Sequence, residues 1–370
     1  MRNPTIDRLR TLMMCLVMVG HAMLPYVTVP RRFNDPAAHV IFDSIGILLY
    51  AFAMPAFFVT AGFSAAALLA NKGVRAFWHN RLVRIGLPLI IGYLILTPLT
   101  RAAYQFASAA STDGLAAGFA AISTLDWLRY SKLYHLWFLA TLILFSGLTQ
   151  VTLIIWQRLP RSRHEKAQQY LDGNTGQPWL FWVLIVVAAV PSALSYVSGT
   201  GQGTDGWIQV MLWLFFASGW WLQGAPNILA KLNIGQLRYW LTLLIAVPVC
   251  VVSTRQRLFA EDQTDLISGL LAGVSSAAIG VCATALLLAA FRNEQNKQRP
   301  FVDYLSAASY WVYLVHYPII VFVGGLVSVL AWSAGWKYLA TLTIAVPIVL
   351  GSFEAVRRWQ RGRRRQSRTA

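Results

Sequence analysis

Ten apolar runs dominate this chain, at 9–29, 40–70, 83–107, 133–157, 179–198, 206–223, 237–253, 265–291, 302–331 and 338–356. Each is near the roughly 20 residues that an α-helix needs to cross a bilayer. Hydrocarbon offers no partner to a peptide group, so such runs must be helices that satisfy their own backbone. The pattern predicts an all-α, polytopic membrane protein with about ten transmembrane helices. Composition agrees: 57% of the 370 residues are hydrophobic, 12% are charged, and mean hydropathy is +0.54. A soluble domain carries about 25% charged residues. An ordinary globular enzyme, a disordered chain and a coiled coil are therefore excluded.

Connections between the runs are short, the longest near 108–132 and 158–178. The expected organisation is a ten-helix domain over 1–357 followed by a basic tail over 358–370. Ten spans put both termini on one side. With that side cytoplasmic, 23 of the 31 Lys and Arg fall inside and 8 outside, the asymmetry of positive-inside topology. This accounts for most of the net charge of +17 without nucleic acid. The arginine-rich tail then has the lipid bilayer as its partner, through anionic headgroups. The basic N-terminus ahead of an apolar stretch resembles a signal peptide. No small-residue cleavage site follows it, so a retained first helix is expected. Cys15, Cys250 and Cys282 lie singly in apolar runs and are expected to be buried as small hydrophobes. No spacing suggests a bound metal.

Ionisable groups inside apolar runs carry the functional information, because each is costly if it faces lipid. Arg10 and His21 are eleven residues apart. Eleven helical steps return to within roughly 20° of the start, so both lie on one face, about 16 Å apart along the axis. Pro25 cannot donate to the His21 carbonyl and is expected to kink the helix there. A histidine bonded between helices, with a snorkelling arginine, accounts for the pair equally well. The segment KGVRAFWHNRLVRIGLP over 72–88 places Arg81 and Arg84 three apart, on one helix face. Such arginines suit phosphate, and topology anchoring explains them too. His135 opens the fourth span beside Trp137, and His316 lies mid-span near Tyr313 and ahead of Pro318. The surrounding aromatics fit an interfacial belt and a sugar-stacking platform alike. Asp43, near the end of the second span, suits orienting a histidine, binding an acceptor hydroxyl, or capping.

These segments resemble the membrane acyltransferase-3 family, whose first helix carries Arg or Lys, ten residues, then His. DRLRTLMMCLVMVGH over 7–21 fits that motif, and AFAMPAFFVTAGF at 51–63, RLVRIGLPLIIG at 81–92, HLWFL at 135–139 and YWVYLVHYP at 310–318 follow in order. The likeness runs from about residue 5 to 350. It is nearest to the branch with the succinyltransferases of osmoregulated periplasmic glucans, and to enzymes that O-acetylate polysaccharides. The resemblance implies an acyl-CoA-dependent O-acyltransferase of the bacterial inner membrane. Cytoplasmic acetyl-CoA or succinyl-CoA would be the co-substrate, and a periplasmic or lipid-linked glycan the acceptor. It implies His21 as the catalytic histidine, with Arg10 as its motif partner. Arg81, Arg84 and Arg8 would bind acyl-CoA, and His135, Trp137, His316, Tyr313 and Asp43 would bind or support the acceptor. A succinyl donor calls for a cation near its free carboxylate, for which Arg31, Arg32 and Arg101 are available. Neutral imidazole suits proton removal from a hydroxyl at neutral pH, whether transfer is direct or through an acyl-histidine. A secondary transporter is the rival reading. It suits the Pro-broken spans, but intramembrane carboxylates are few and no inverted repeat is evident. No GxxxG-type signature decides between a monomer and a homodimer.

Overall fold

The apolar runs fold as helices throughout, and no strand occurs among the described residues. The computed structural model describes residues 4–128, 132–158, 160, 162, 178–199, 205–259, 265–292 and 300–369. The cations Arg161, Arg163 and Lys166 of the 158–178 connection lie outside them. The helices are α1 (Pro4–Met23), α2 (Val40–Arg81), α3 (Leu87–Asp113), α4 (Leu115–Ser123), α5 (Trp137–Gln157), α6 (Pro178–Ser198), α7 (Gly206–Gly224), α8 (Pro226–Lys231), α9 (Leu237–Phe259), α10 (Leu266–Arg292), α11 (Pro300–Ser328) and α12 (Ala334–Thr369). Eight helical stretches among the described residues are long and apolar enough to cross a membrane. One of them, Val40–Asp113, has 74 residues. At 1.5 Å per residue that is roughly 110 Å, against a hydrocarbon core of about 30 Å. Two of the expected spans, 40–70 and 83–107, fall within it on either side of Gly73. There the backbone turns to φ 73°, ψ 173°, a conformation open to glycine and strained for other residues. The expected span 206–223 is helix α7, which is not among the eight.

The first helix departs from its expected course in a telling way. Instead of kinking at Pro25 and running on to residue 29, α1 stops at Met23, and Leu24–Tyr26 form a 3-10 turn. A proline cannot donate to the ladder, and here the chain leaves the helix altogether. His21 therefore stands in the last turn of α1. The tail beyond 357 is also helical, since α12 continues to Thr369.

The chain divides into two compact units, Met1–Met13 with Ile47–Pro88 and Trp137–Gln298, and Met14–Gly46 with Leu89–Leu136 and Arg299–Ala370. In the first unit, α6, α9 and α10 enclose Phe181, Ile185, Tyr239, Cys250, Ile279 and Cys282. Cys250 and Cys282 are buried there, but Cys15 is exposed, contrary to expectation. The crossing of α2 with α7 rests on two glycines. A Cβ at Gly62 would lie 1.9 Å from the Phe216 carbonyl oxygen, and one at Gly219 would lie 2.0 Å from that of Val59. Small residues let backbones meet this closely where lipid supplies no hydrophobic drive between helices. Helix ends are closed by side chains. Asp205 accepts from the Trp207 amide at 2.7 Å to start α7. Asp265 accepts from the Ile267 and Ser268 amides to start α10, and the Ser268 bonds hold its carboxyl below the usual range. The Arg257 guanidinium donates to the carbonyls of Tyr196 and Val197 in the last turn of α6, at 2.8 and 2.7 Å.

In the second unit, α11 and α12 form a hairpin clamped by the α1–α2 loop. Lys337 Nζ meets both Asp35 oxygens at 2.9 and 3.0 Å and the Ser328 carbonyl at 2.8 Å, all buried. The Tyr26 hydroxyl pairs with that of Thr341 at 3.1 Å. Both Asp43 oxygens accept from Thr28, one from its amide at 2.8 Å and the other from its hydroxyl.

Candidate active site

Three of the expected residues, His21, His135 and His316, come together in the second unit although they are far apart in sequence. His21 Nδ1 lies 2.8 Å from His316 Nε2, with ring centroids 5.1 Å apart and nearly parallel. His316 Nδ1 faces the carbonyls of Val312 and Tyr313 at 2.9 and 2.8 Å. A carbonyl only accepts, so His316 Nδ1 carries the proton and its Nε2 the lone pair. His21 Nδ1 must then donate, which leaves the lone pair of His21 on Nε2. One backbone contact thus decides the tautomer of two imidazoles.

His135 is placed by a proline. Pro318 has no amide proton, so the carbonyl of Leu314, four residues earlier, loses its helical donor. His135 Nε2 lies 2.9 Å from that oxygen and donates to it. Its Nδ1 keeps a lone pair that is buried without a partner. The Tyr313 hydroxyl donates to the His135 carbonyl at 2.7 Å, so Tyr313 braces the turn that carries His135. With both nitrogens of His316 engaged, only His21 Nε2 and His135 Nδ1 keep free lone pairs in the cluster. Among the described residues no group of three metal ligands is assembled. His135 and His316 are 4% and 0% exposed, while His21 is only partly buried. It is the histidine a substrate can reach.

Three tyrosines near His21 stand out in the structure and were given no role from the sequence, and Arg32, offered there as a cation for a succinyl carboxylate, adjoins them. Tyr317 packs edge-on to His21 at 4.6 Å between centroids, and its hydroxyl pairs with that of Tyr104 at 2.8 Å. Tyr134 stacks on Tyr104 at 5.9 Å, and Arg32 donates to the Tyr134 hydroxyl at 3.1 Å. Tyr317 adjoins the His316 segment and was in plain sight. Tyr104 carries no signal in its own apolar run.

The remaining expected residues stand elsewhere. Arg8, Arg10, Arg81, Arg84 and Trp137 belong to the first unit. Arg10 pairs with Asp7 at 3.1 Å, and Arg8 is buried. Arg81 lies over the Phe77 ring at 5.0 Å, with its Nε buried and unpartnered, while Arg84 is exposed. Leu82–Gly86 are π-helical. A wider turn changes the angular step, so the α-helical spacing does not set which face the two share. Trp137 packs against Phe58 and Phe138. Asp43 is held by Thr28, as described above.

The chain matches the acyltransferase domain family over residues 3–353. It belongs to the acyltransferase-3 family. Among its relatives are proteins called Glucans biosynthesis protein C. The one from Salmonella schwarzengrund is 23% identical over 365 residues, covering 95% of this chain and 91% of the relative. Those from Salmonella typhi and Salmonella gallinarum are 23% and 24% identical, each covering 88% of this chain and 84% of the relative. No solved structure gives a significant match. The chain is a multi-pass membrane acyltransferase.

Proposed function

We propose that this acyltransferase works in a bacterial inner membrane, moving an acetyl or succinyl group from cytoplasmic acyl-CoA to a hydroxyl of a periplasmic or lipid-linked glycan. The relatives' name, with its reference to glucans, supports the acceptor class. The observation that carries the catalytic assignment is the His316–His21 hydrogen bond. It leaves a lone pair on Nε2 of His21, the partly accessible imidazole of the three in the cluster.

In this reading the glycan hydroxyl gives its proton to His21 Nε2 as its oxygen attacks the thioester carbonyl carbon. The carbon–sulfur bond breaks, and the coenzyme A thiolate leaves with the proton from His21. His316 steadies the transient imidazolium by accepting from Nδ1, the part that a carboxylate plays in a serine-protease triad. Tyr104, Tyr134 and Tyr317 offer aromatic faces to a sugar, and His135, fixed on the Leu314 carbonyl, supports the acceptor side of the site. Arg8, Arg81 and Arg84 are assigned to the phosphates of coenzyme A, with Arg10 orienting the donor.

The test is thiol release from acetyl-CoA and succinyl-CoA by the protein in phospholipid vesicles, with a bacterial glucan as acceptor. Wild type releases thiol, and His21→Ala loses about 10²–10⁴-fold. Full activity in a folded His21→Ala protein removes this mechanism. A radiolabelled acyl group trapped on the protein without acceptor would reroute transfer through Nε2 of His21.

A further inference from the structure

The loop between α1 and α2 presents two adjacent exposed arginines, Arg31 and Arg32, on a backbone held on both sides. The Asn34 side chain donates to the Val27 and Val29 carbonyls at 2.8 and 3.1 Å and accepts from the Arg31 amide at 2.7 Å. Phe33 is buried with Ala103, Ala107, Tyr317 and Val321. The Asp35 amide donates to the Pro25 carbonyl at 2.7 Å, and its carboxylate holds Lys337. A loop tied down in this way keeps its charged ends in place before any ligand arrives.

Those charges are not neutralised locally. Arg32 uses Nη1 on the Tyr134 hydroxyl, and its guanidinium lies over the same ring. Arg31 has no carboxylate partner among the described residues, and it adjoins Arg32, from which Tyr134, Tyr104 and Tyr317 lead in contact to His21. The two nearest acids in sequence are committed elsewhere, Asp35 to Lys337 and Asp43 to Thr28. Asp303 and Glu354 lie far along α11 and α12 from the Ser328–Lys337 end, on the order of 25 Å or more by helix rise. A guanidinium pair beside an aromatic-walled site, with no carboxylate paired to either among the described residues, suits a ligand that brings its own negative group.

We infer that Arg31 and Arg32 form an anion subsite beside His21 and that it takes a carboxylate carried by the reacting molecules, with Arg31 the contacting residue and Arg32 held in register by Tyr134. The inference rests on the acyl-transfer reading. The carboxylate has two chemical sources, the far end of a dicarboxylic acyl group or an acidic sugar of the acceptor.

The experiment uses the full chain in vesicles, with acetyl-CoA or succinyl-CoA as donor and a neutral or a uronic-acid-bearing oligosaccharide as acceptor. Wild type, Arg31→Gln and Arg31→Lys are compared. A charge-assisted contact is worth enough to change discrimination about tenfold. If the acyl group brings the carboxylate, Arg31→Gln lowers the succinyl-to-acetyl ratio of kcat/KM about tenfold, and Arg31→Lys restores part of it. If the acceptor brings it, the acidic-to-neutral acceptor ratio falls instead, with either donor. Equal rates for wild type and Arg31→Gln in all four combinations, or an equal loss in all four, overturns the subsite. Thermal protection of the detergent-solubilised protein by succinyl-CoA, acetyl-CoA and each oligosaccharide is a second readout that needs no turnover. Charge-dependent protection lost in Arg31→Gln supports the subsite even if His21→Ala shows the acyl-transfer reading to be wrong. Protection equal for charged and neutral ligands speaks against it.

Discussion

The two units differ in emphasis in how they bury polar groups, although each holds both kinds: the first pairs Arg257 with two carbonyls, and the second leaves Gln105 Oε1 and His135 Nδ1 without a partner. In the first, Ser192, Ser195, Thr149 and Thr284 each hold a buried hydroxyl oxygen with no partner, and close packing is secured by glycines such as Gly62 and Gly219. In the second, buried polar groups are chained together. Lys337 holds Asp35 and Ser328, Tyr26 holds Thr341, His316 links two carbonyls to His21, and Tyr317 links to Tyr104. A lone buried hydroxyl costs about 1–3 kcal/mol in lost hydration and holds no neighbour in place. A connected network orients its members and is sensitive to the loss of any one. The difference teaches where to look for chemistry in an apolar chain: in the region where polar groups satisfy one another and leave a single site open.

Substitutions can break or sharpen that contrast. The largest effect is expected from Asp35→Asn, which strands the Lys337 charge in the interior at about 3–5 kcal/mol. Denaturation of the solubilised protein should show it, with Asp35→Leu/Lys337→Met recovering most of the loss. If the single change is neutral, the network of the second unit is not what holds it. His316→Ala comes next. It frees His21 to take the other tautomer, so kcat should fall about 10²-fold with KM for the donor little changed. His316→Asn, which keeps an acceptor, should regain part of the rate, whereas a purely structural role would show no such rescue. Gly62→Val in the first unit should destabilise by about 1–3 kcal/mol. The kcat per folded molecule should hold, and a drop in kcat would erase the distinction between scaffold and site. Smallest is Trp78→Phe. It removes the 2.7 Å bond to Gln150 and should cost about 1 kcal/mol in stability, with transfer intact.

Much of the site was legible before the fold. The cost of an ionisable group facing lipid singled out His21, His135 and His316, structural readings stood beside the functional ones, and the family resemblance implied their roles. The reason these three meet was not legible. It depends on α1 ending just after His21, on His316 Nδ1 being taken by the Val312 and Tyr313 carbonyls so that Nε2 meets His21, and on Pro318 freeing Leu314 for His135. Asp43 suited orienting a histidine, binding an acceptor hydroxyl or capping, and spacing did not choose among them. Thr28, only fifteen residues away, takes both its oxygens. Spacing along one helix relates Arg10 to His21, and it says nothing about which side chain arrives from a helix nearly three hundred residues later.

What the sequence determined by itself was the solvent and the secondary structure. Long apolar runs with few charges leave a peptide chain no option except helices in a bilayer, and that constraint acts residue by residue. The acyltransferase likeness was also in the order of its motifs. Tertiary structure alone decided which nitrogen of His21 is basic, which tyrosines surround it, and that Arg31 has no paired carboxylate among the described residues. Those facts depend on hydrogen bonds and contacts of a few ångströms between segments far apart in the chain, and no local pattern encodes their geometry.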